Sequence, residues 1–195
     1  MFLVIVPIIL VVLCLLVWQF RIELQVKNCI RKSNGDICYS QFLQEGVTNF
    51  SKEEYNEAIK NFRLAEFSYN NNALSAFTAY RNEANALLEL GKYSEAEKIY
   101  KILIALPSDE SKLVYADLIR LYQLQNRVDD ALKVADDGYA QFKDKAYMYQ
   151  KAYIYEAVEK FAEEVSIYQQ LLLLDPGERE NIQFKIDRLR ENHGL

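Results

Sequence analysis

Few side chains of this sequence could act as a catalytic acid, base or nucleophile. His193 is the only histidine, and it lies near the C-terminus, where chains commonly fray. A His-centred triad and a His-bearing metal site therefore have little support. The sequence also contains neither a glycine-rich phosphate loop nor a nucleophile elbow. We expect no enzymatic activity, no cofactor and no bound metal.

Acidic residues occur in adjacent pairs, which could suggest paired carboxylates for acid–base chemistry. Neighbours in sequence diverge by about 100° around a helix, so the two side chains of a pair point in different directions. We interpret these pairs as solvated charges, or as first-turn charges that the helix dipole favours. The pairs are Glu53-Glu54, Asp129-Asp130, Asp136-Asp137 and Glu163-Glu164.

The three cysteines are Cys14, Cys29 and Cys38. Their number is odd and no two of them form a C-x-x-C pair, so the sequence suggests neither a disulfide framework nor a zinc site. We expect reduced thiols. Cys14 lies inside an apolar run and the other two follow it.

The composition predicts a folded protein built from long helices. Of 195 residues, 51% are apolar, and only 6 are glycine and 3 are proline, which is scarce for a fold of many strands and turns. The formal net charge is -5, and most acidic side chains follow residue 37. A net negative surface opposes binding to phosphate backbones, so we expect no nucleic-acid partner.

The N-terminal run MFLVIVPIILVVLCLLVW has no charged side chain. About 20 apolar residues in a helix span the hydrocarbon layer of a bilayer, so residues 1–20 are predicted to be a transmembrane anchor that contacts lipid. No basic residue precedes the run and bulky residues end it, which disfavours a cleaved signal peptide. Residues 21–38 are expected to be a juxtamembrane linker.

The basic residues of this linker predict the orientation of the anchor. Arg21, Lys27, Arg31 and Lys32 all follow the apolar run, and none precedes it. Because positive flanks favour the inner side of the membrane, we expect a single-pass membrane protein with its main domain in the cytoplasm. An extracytoplasmic, periplasmic location is the alternative.

The stretch ALLELGKYSEAEKIYKILIALP, residues 86–107, breaks at a glycine and then carries an aromatic, a small and an aromatic residue at helical spacing. The first of these, Tyr93, belongs to a series of four corresponding residues, Tyr55, Tyr93, Val128 and Phe161. Successive members of the series are 38, 35 and 33 residues apart. The preceding helices repeat at the same intervals, with first anchors Phe42, Tyr80, Tyr115 and Met148. Two series with identical intervals predict a tandem repeat of paired helices.

The repeat resembles the tetratricopeptide (TPR) family, best in its second unit, through Gly91, Tyr93, Ala96 and Tyr100. The resemblance implies an all-α fold, a right-handed superhelical solenoid of helix-turn-helix units. About four units are expected, over residues 39–72, 77–110, 112–144 and 145–178, with a capping helix and tail over 179–195. Ile182, Ile186 and Leu189 are expected on the inner face of that cap.

The chain departs from the family pattern at several positions. The turn glycine is replaced by Glu53, Asn126 and Glu159 in the other three units, and Glu164 replaces the small alanine of the fourth. Asparagine adopts the left-handed conformation with little strain, whereas glutamate predicts a different turn.

The resemblance also implies a concave surface that binds peptides or extended segments. Transferring the family geometry gives the protein-binding candidates Arg81, Asn82, Asn85, Asp117, Arg120, Tyr149, Gln150 and Tyr153, with Leu43 and Val47 in the first unit. Arg81 and Asn85 resemble part of a carboxylate clamp. Asp117, Ala146 and Gln150 stand where the rest of that clamp would be, so binding of chaperone tails is disfavoured. Tyr149 and Tyr153 offer flat apolar area with hydroxyl groups, a common composition for recognition surfaces.

Together these features predict a membrane-anchored scaffold or adaptor that binds other proteins and holds them at the membrane. One alternative is a constitutive structural subunit of a large membrane-embedded machine. Another is a regulator or subunit of an enzyme. The sequence leaves all three open.

Overall fold

The computed structural model describes the backbone of residues 2–32, 35–70, 72–106 and 108–195, and the side chains of those ranges from residue 13 onward. Every regular element in these ranges is helical. The elements are α1 (Phe2–Lys32), α2 (Gly35–Ser51), α3 (Tyr55–Ser68), α4 (Phe77–Glu89), α5 (Tyr93–Ile104), α6 (Ser111–Leu124), α7 (Val128–Phe142), α8 (Ala146–Ala157), α9 (Phe161–Leu174), a 3-10 turn (Pro176–Glu178) and α10 (Arg179–His193).

The chain divides into two compact units, Met1–Leu106 and Pro107–Leu195, here called the N-terminal and the C-terminal unit. In the N-terminal unit, α2 packs on α3, α3 packs on α4, and α4 packs on α5. In the C-terminal unit, α6 to α10 do the same. Packing between sequence neighbours is typical of helical repeats, so the expected all-helical repeat of paired helices is confirmed.

The turn within each helix pair is the same in all four repeats, which corrects the expectation of a different turn at glutamate. Glu53, Gly91, Asn126 and Glu159 all have positive φ, between 55° and 71°. In each turn the next residue's N–H donates to a carbonyl five residues earlier, as from Lys160 to Tyr155 at 2.9 Å. These bonds satisfy the carbonyls that a helix end leaves open, and they hold glutamate in a conformation that it adopts rarely.

Small residues mark the places where neighbouring helices approach closely. Ala58, Ala96 and Ala131 are completely buried. A Cβ added at Gly46 would lie 2.4 Å from the Phe62 ring, and one added at Gly138 would lie 2.7 Å from the Tyr147 ring. Both glycines therefore admit an aromatic ring against the helix backbone.

The cap forms as expected. Ile182 and Ile186 of α10 are buried against α8 and α9, and Leu189 packs on the same cluster. The inner face of α10 therefore completes the core of the C-terminal unit.

The segment expected to be a linker is mostly helical. Helix α1 continues without a break to Lys32, and its residues Ile22 and Val26 are buried with Phe42 and Leu64. The spacing of Ile22, Val26 and Cys29 places them on one face of α1. This part of the chain therefore packs on α2 and α3.

Among the helices as far as the structure describes them, none is long and apolar enough to cross a membrane. The side chains of residues 1–12, which form most of the predicted anchor, lie outside this description.

The expectation of reduced thiols is corrected for two of the three cysteines. Cys29 of α1 and Cys38 of α2 form a disulfide, with 5.9 Å between their Cα atoms. Cys38 is completely buried and belongs to the same core cluster as Ile22 and Val26. The separation of nine residues between Cys29 and Cys38 matches no recognisable cysteine motif. Only the packing of α1 on α2 brings the two sulfur atoms together.

Candidate protein-binding surface

In the N-terminal unit, Arg81, Asn82 and Asn85 lie along α4, and all three are half-buried. The hydroxyl of Tyr100 in α5 donates a hydrogen bond of 2.5 Å to Oδ1 of Asn85. Asn85 therefore has a structural role between α4 and α5 in addition to its predicted role in binding. In the first repeat, Leu43 packs on the core cluster of α1 and α2, whereas Val47 is exposed.

In the C-terminal unit, Asp117 and Arg120 lie on α6, and Tyr149, Gln150 and Tyr153 lie on α8. Tyr153 is 61% exposed, a large value for an aromatic side chain. Tyr149 is half-buried and packs edge-on against the Tyr168 ring, with centroids 6.5 Å apart. Burial, followed by the nearby carboxylates of Asp175 and Glu178, raises the pKa of Tyr149, so its hydroxyl stays protonated at neutral pH.

Gln150 has one polar atom that the fold does not use. Its Oε1 is buried and, among the residues that the structure describes, has no hydrogen-bond partner. Buried polar atoms are normally paired, because an unpaired one loses its hydration without compensation. The candidates of α8 therefore combine an exposed aromatic ring with an unused hydrogen-bond acceptor.

A buried carboxyl pair in the N-terminal unit was not predicted. Glu66 of α3 and Glu83 of α4 are 5% and 4% exposed, and Nε of Arg63 donates to Glu83 at 2.7 Å. Burial and the neighbouring Glu83 raise the pKa of Glu66 to about 10. Glu66 is therefore a neutral acid at neutral pH, and its hydroxyl donates to Glu83. Both glutamates look like ordinary surface residues of helices, so no sequence signal marks them.

A second unpredicted feature is a cavity in the C-terminal unit that α8, α9 and α10 line. Glu164, which replaces the alanine of the other repeats, lies at this cavity and is 3% exposed. The replacement of alanine by Glu164 in the repeat pattern was the only feature of the sequence that pointed to this cavity. In the part of the chain that the structure describes, no three or more His, Cys, Asp or Glu side chains cluster as metal ligands would.

No family model and no curated protein matches the chain. Many solved structures are similar to it, and three of them show the likeness. The MamA protein matches 81% of this chain and 84% of its own at 15% identity, with a TM-score of 0.58. A putative kinesin light chain from Podosopora anserina with nearly identical TPR-like repeats matches 80% and 86% at 15% identity, with a TM-score of 0.61.

The third is YrrB, a TPR protein described as having an unusual peptide-binding site. It matches 86% of this chain and 82% of its own at 14% identity, with a TM-score of 0.54. Identities this low are evidence about the fold and not about shared ligands or partners. The chain has the helix-turn-helix repeat fold of tetratricopeptide proteins.

Proposed function

We propose that this protein is a scaffold that binds other proteins through the exposed face of its repeats. The observation that carries the proposal is the composition of α8. Tyr153 is 61% exposed, and one turn earlier Gln150 has a buried acceptor that lacks a partner in the described chain. Exposed aromatic rings are enriched in protein contact surfaces, where they supply apolar area and a hydroxyl for hydrogen bonding.

The fold supports this proposal. Helical repeats present long surfaces whose exposed residues vary freely while the packing positions keep the fold. One of the similar structures, YrrB, is described as having a peptide-binding site. A peptide segment of a partner protein is therefore the ligand that we propose for α8.

We further propose that residues 1–20 attach the protein to a membrane. This part of the proposal rests on the sequence, which has no charged residue before Arg21. Extraction tests it: an integral protein stays with the membranes in alkaline carbonate and is released by detergent. Release by carbonate alone would contradict it.

The side of the membrane is a separate proposal. The basic residues after the anchor favour the cytoplasm, whereas the Cys29–Cys38 disulfide favours an oxidising compartment. We propose the extracytoplasmic side. A covalent bond between two packed helices is stronger support than the basic segment after the anchor, because that segment also contains the acidic residue Glu23.

Point substitutions in the full-length chain test the binding surface. A chain shortened to begin at Asp36 would lose Ile22 and Val26, which belong to the core. We expect Tyr153→Ala to weaken capture of a partner by about tenfold or more, since an exposed aromatic anchor contributes more than about 1 kcal/mol. Arg120→Ala should add to this loss.

Phe184→Ala is the matched control, because Phe184 of α10 is also aromatic and is 63% exposed. The partner is identified by mass spectrometry after purification in mild detergent, and its affinity for each variant is then measured. Equal affinities for the wild type and Tyr153→Ala would remove α8 from the proposal. A loss with Phe184→Ala alone would place the contact on α10.

A further inference from the structure

The C-terminal unit contains a cavity of about 290 Å³ where the last turn of α8, the first turns of α9 and the last turns of α10 meet. Phe161 and His193 stack against each other in one of its walls, with ring centroids 3.5 Å apart. The cavity is thus bounded by side chains of three helices within one compact unit. It plays no part in the binding surface proposed above.

Glu164 lines this cavity with an oxygen that the fold leaves unused. The residue is 3% exposed, and within the described chain its Oε2 has no hydrogen-bond partner. The corresponding residues of the other repeats, Ala58, Ala96 and Ala131, are completely buried, so packing alone requires only a methyl group. A buried carboxylate oxygen without a donor is costly, which indicates that the donor comes from outside the chain.

The part of the cavity that α10 lines carries positive charge. Lys185 and Arg188 are three residues apart on α10 and therefore project on the same side of the helix. The Nζ atom of Lys185 lies 5.2 Å from the centroid of the Tyr168 ring, which also lines the cavity. Tyr168 thus holds this ammonium group at the wall through a cation–π contact. Acidic and basic side chains consequently face one small volume.

We propose that this cavity binds an α-amino acid as a zwitterion, with its ammonium group on Glu164 and its carboxylate on Lys185 and Arg188. A ligand with both charges satisfies both walls, whereas an anion or a cation alone leaves one wall unpaired. The volume of about 290 Å³ lies just below the range of about 300–1,000 Å³ for drug-sized ligands, which suits a ligand as small as an amino acid.

The electrostatics of Glu164 agree with an ammonium ligand. Burial and then the neighbouring Glu156 raise the pKa of Glu164, and Lys185 opposes that shift only in part. An additional cation in the cavity stabilises the ionised carboxylate. Glu156 lines the same cavity and provides a second acceptor for the ammonium group.

Binding can be followed by NMR at a single side chain, because His193 is the only histidine and lines the cavity. Glycine is titrated into the full-length protein in mild detergent, in parallel with N-acetylglycine, which lacks the ammonium, and glycinamide, which lacks the carboxylate. We expect a saturable shift of the His193 ring signals with glycine, and at least about tenfold weaker binding of the other two. The indole signal of Trp18, in the N-terminal unit, should not move.

Two variants complete the test. Glu164→Ala places in α9 the residue that the other repeats have, so the fold should persist, and the affinity for glycine should fall by about tenfold or more. Glu163→Ala is the matched control, because Glu163 is the exposed neighbour in the same helix turn, and it should bind as the wild type does. The proposal is overturned if glycine gives no saturable shift, if N-acetylglycine or glycinamide binds equally well, or if Glu164→Ala binds like the wild type.

Discussion

At the scale of single residues, the turns within the helix pairs store backbone strain at two glutamates. Glu53 has φ of 62° and Glu159 has φ of 56°, in a region that disfavours side chains with a Cβ by about 1–2 kcal/mol. Gly91 holds the same place in the second repeat with φ of 71° and has open space around it. The strain in these turns therefore comes from the Cβ of the glutamate at positive φ and not from contacts with neighbouring residues.

Exchanging these residues should change stability in opposite directions. We expect Glu159→Gly to raise the free energy of unfolding by about 0.5–1 kcal/mol, since relief of strain exceeds the entropy cost of glycine, and Gly91→Ala to lower it by about 1 kcal/mol. Denaturant titration of the full-length protein measures both. Glu163→Gly, inside α9, is the control and should lower the free energy by about 1 kcal/mol. A loss at Glu159→Gly equal to that of the control would contradict the prediction.

The Glu66–Glu83 pair makes stability depend on pH. The pKa of Glu66 is raised to about 10 in the folded state from an ordinary value of 4.5. The folded chain therefore holds a proton that the unfolded chain has lost between these values, so stability should fall as the pH rises through this window. Glu66→Gln keeps a hydrogen-bond donor to Glu83, but its amide group does not titrate in this pH range.

Thermal unfolding at pH 6 and at pH 9 tests whether stability falls as the pH rises. The wild type should lose more stability between the two values than Glu66→Gln does. Glu57→Gln, which removes an exposed carboxylate paired with Lys60, is the control and should leave the wild-type difference unchanged. Equal pH dependence of the wild type and Glu66→Gln would mean that Glu66 is ionised in the folded state.

At the scale of helices, α1 belongs to the fold through its second half. Val26 is 1% exposed and Leu24, two residues before it, is 48% exposed. We expect Val26→Ala to lower the free energy of unfolding by about 2 kcal/mol, because it removes two buried methyl groups and leaves a cavity. Leu24→Ala should change it by less than about 0.5 kcal/mol. Similar losses in denaturant titration would show that α1 does not pack as described.

Periodicity predicted the helices of the repeats well. The four anchors Tyr55, Tyr93, Val128 and Phe161 are the first residues of α3, α5, α7 and α9. Spacing works here because each repeat must bury the same face, so the large and small residues recur in register. The candidate binding residues remain predictions, because exposed positions are not constrained by packing.

The helical packing of the segment after the anchor was not predicted. Residues 21–38 were expected to be a juxtamembrane linker, although Ile22, Val26 and Cys29 have the four-and-three spacing of a packed helix. The glutamate turns could not be predicted either, since hydrogen bonds across the whole turn compensate for the strain of one residue. The burial of Glu66 depends on packing between α3 and α4, which local sequence does not encode.

At the scale of the whole molecule, one covalent bond makes the stability of the fold depend on the redox state of its surroundings. The Cys29–Cys38 disulfide joins α1, whose first part is the predicted anchor, to α2, the first helix of the repeats. In the chain-entropy model a bond that closes such a short loop stabilises the fold by about 2–3 kcal/mol. A reducing cytosol would remove that contribution, whereas an oxidising compartment would keep it.

Counting thiols in cells therefore tests the compartment. After acid quenching and denaturation without reductant, a maleimide linked to polyethylene glycol should add a single mass increment, at Cys14, because the other two cysteines are bonded. Reduction before labelling should give three increments, one for each cysteine of the chain. Cys29→Ser should give two without reductant, since Cys38 loses its partner. Three increments from the unreduced wild type would mean that the bond does not form in cells, and the basic residues after the anchor would then decide for the cytoplasm.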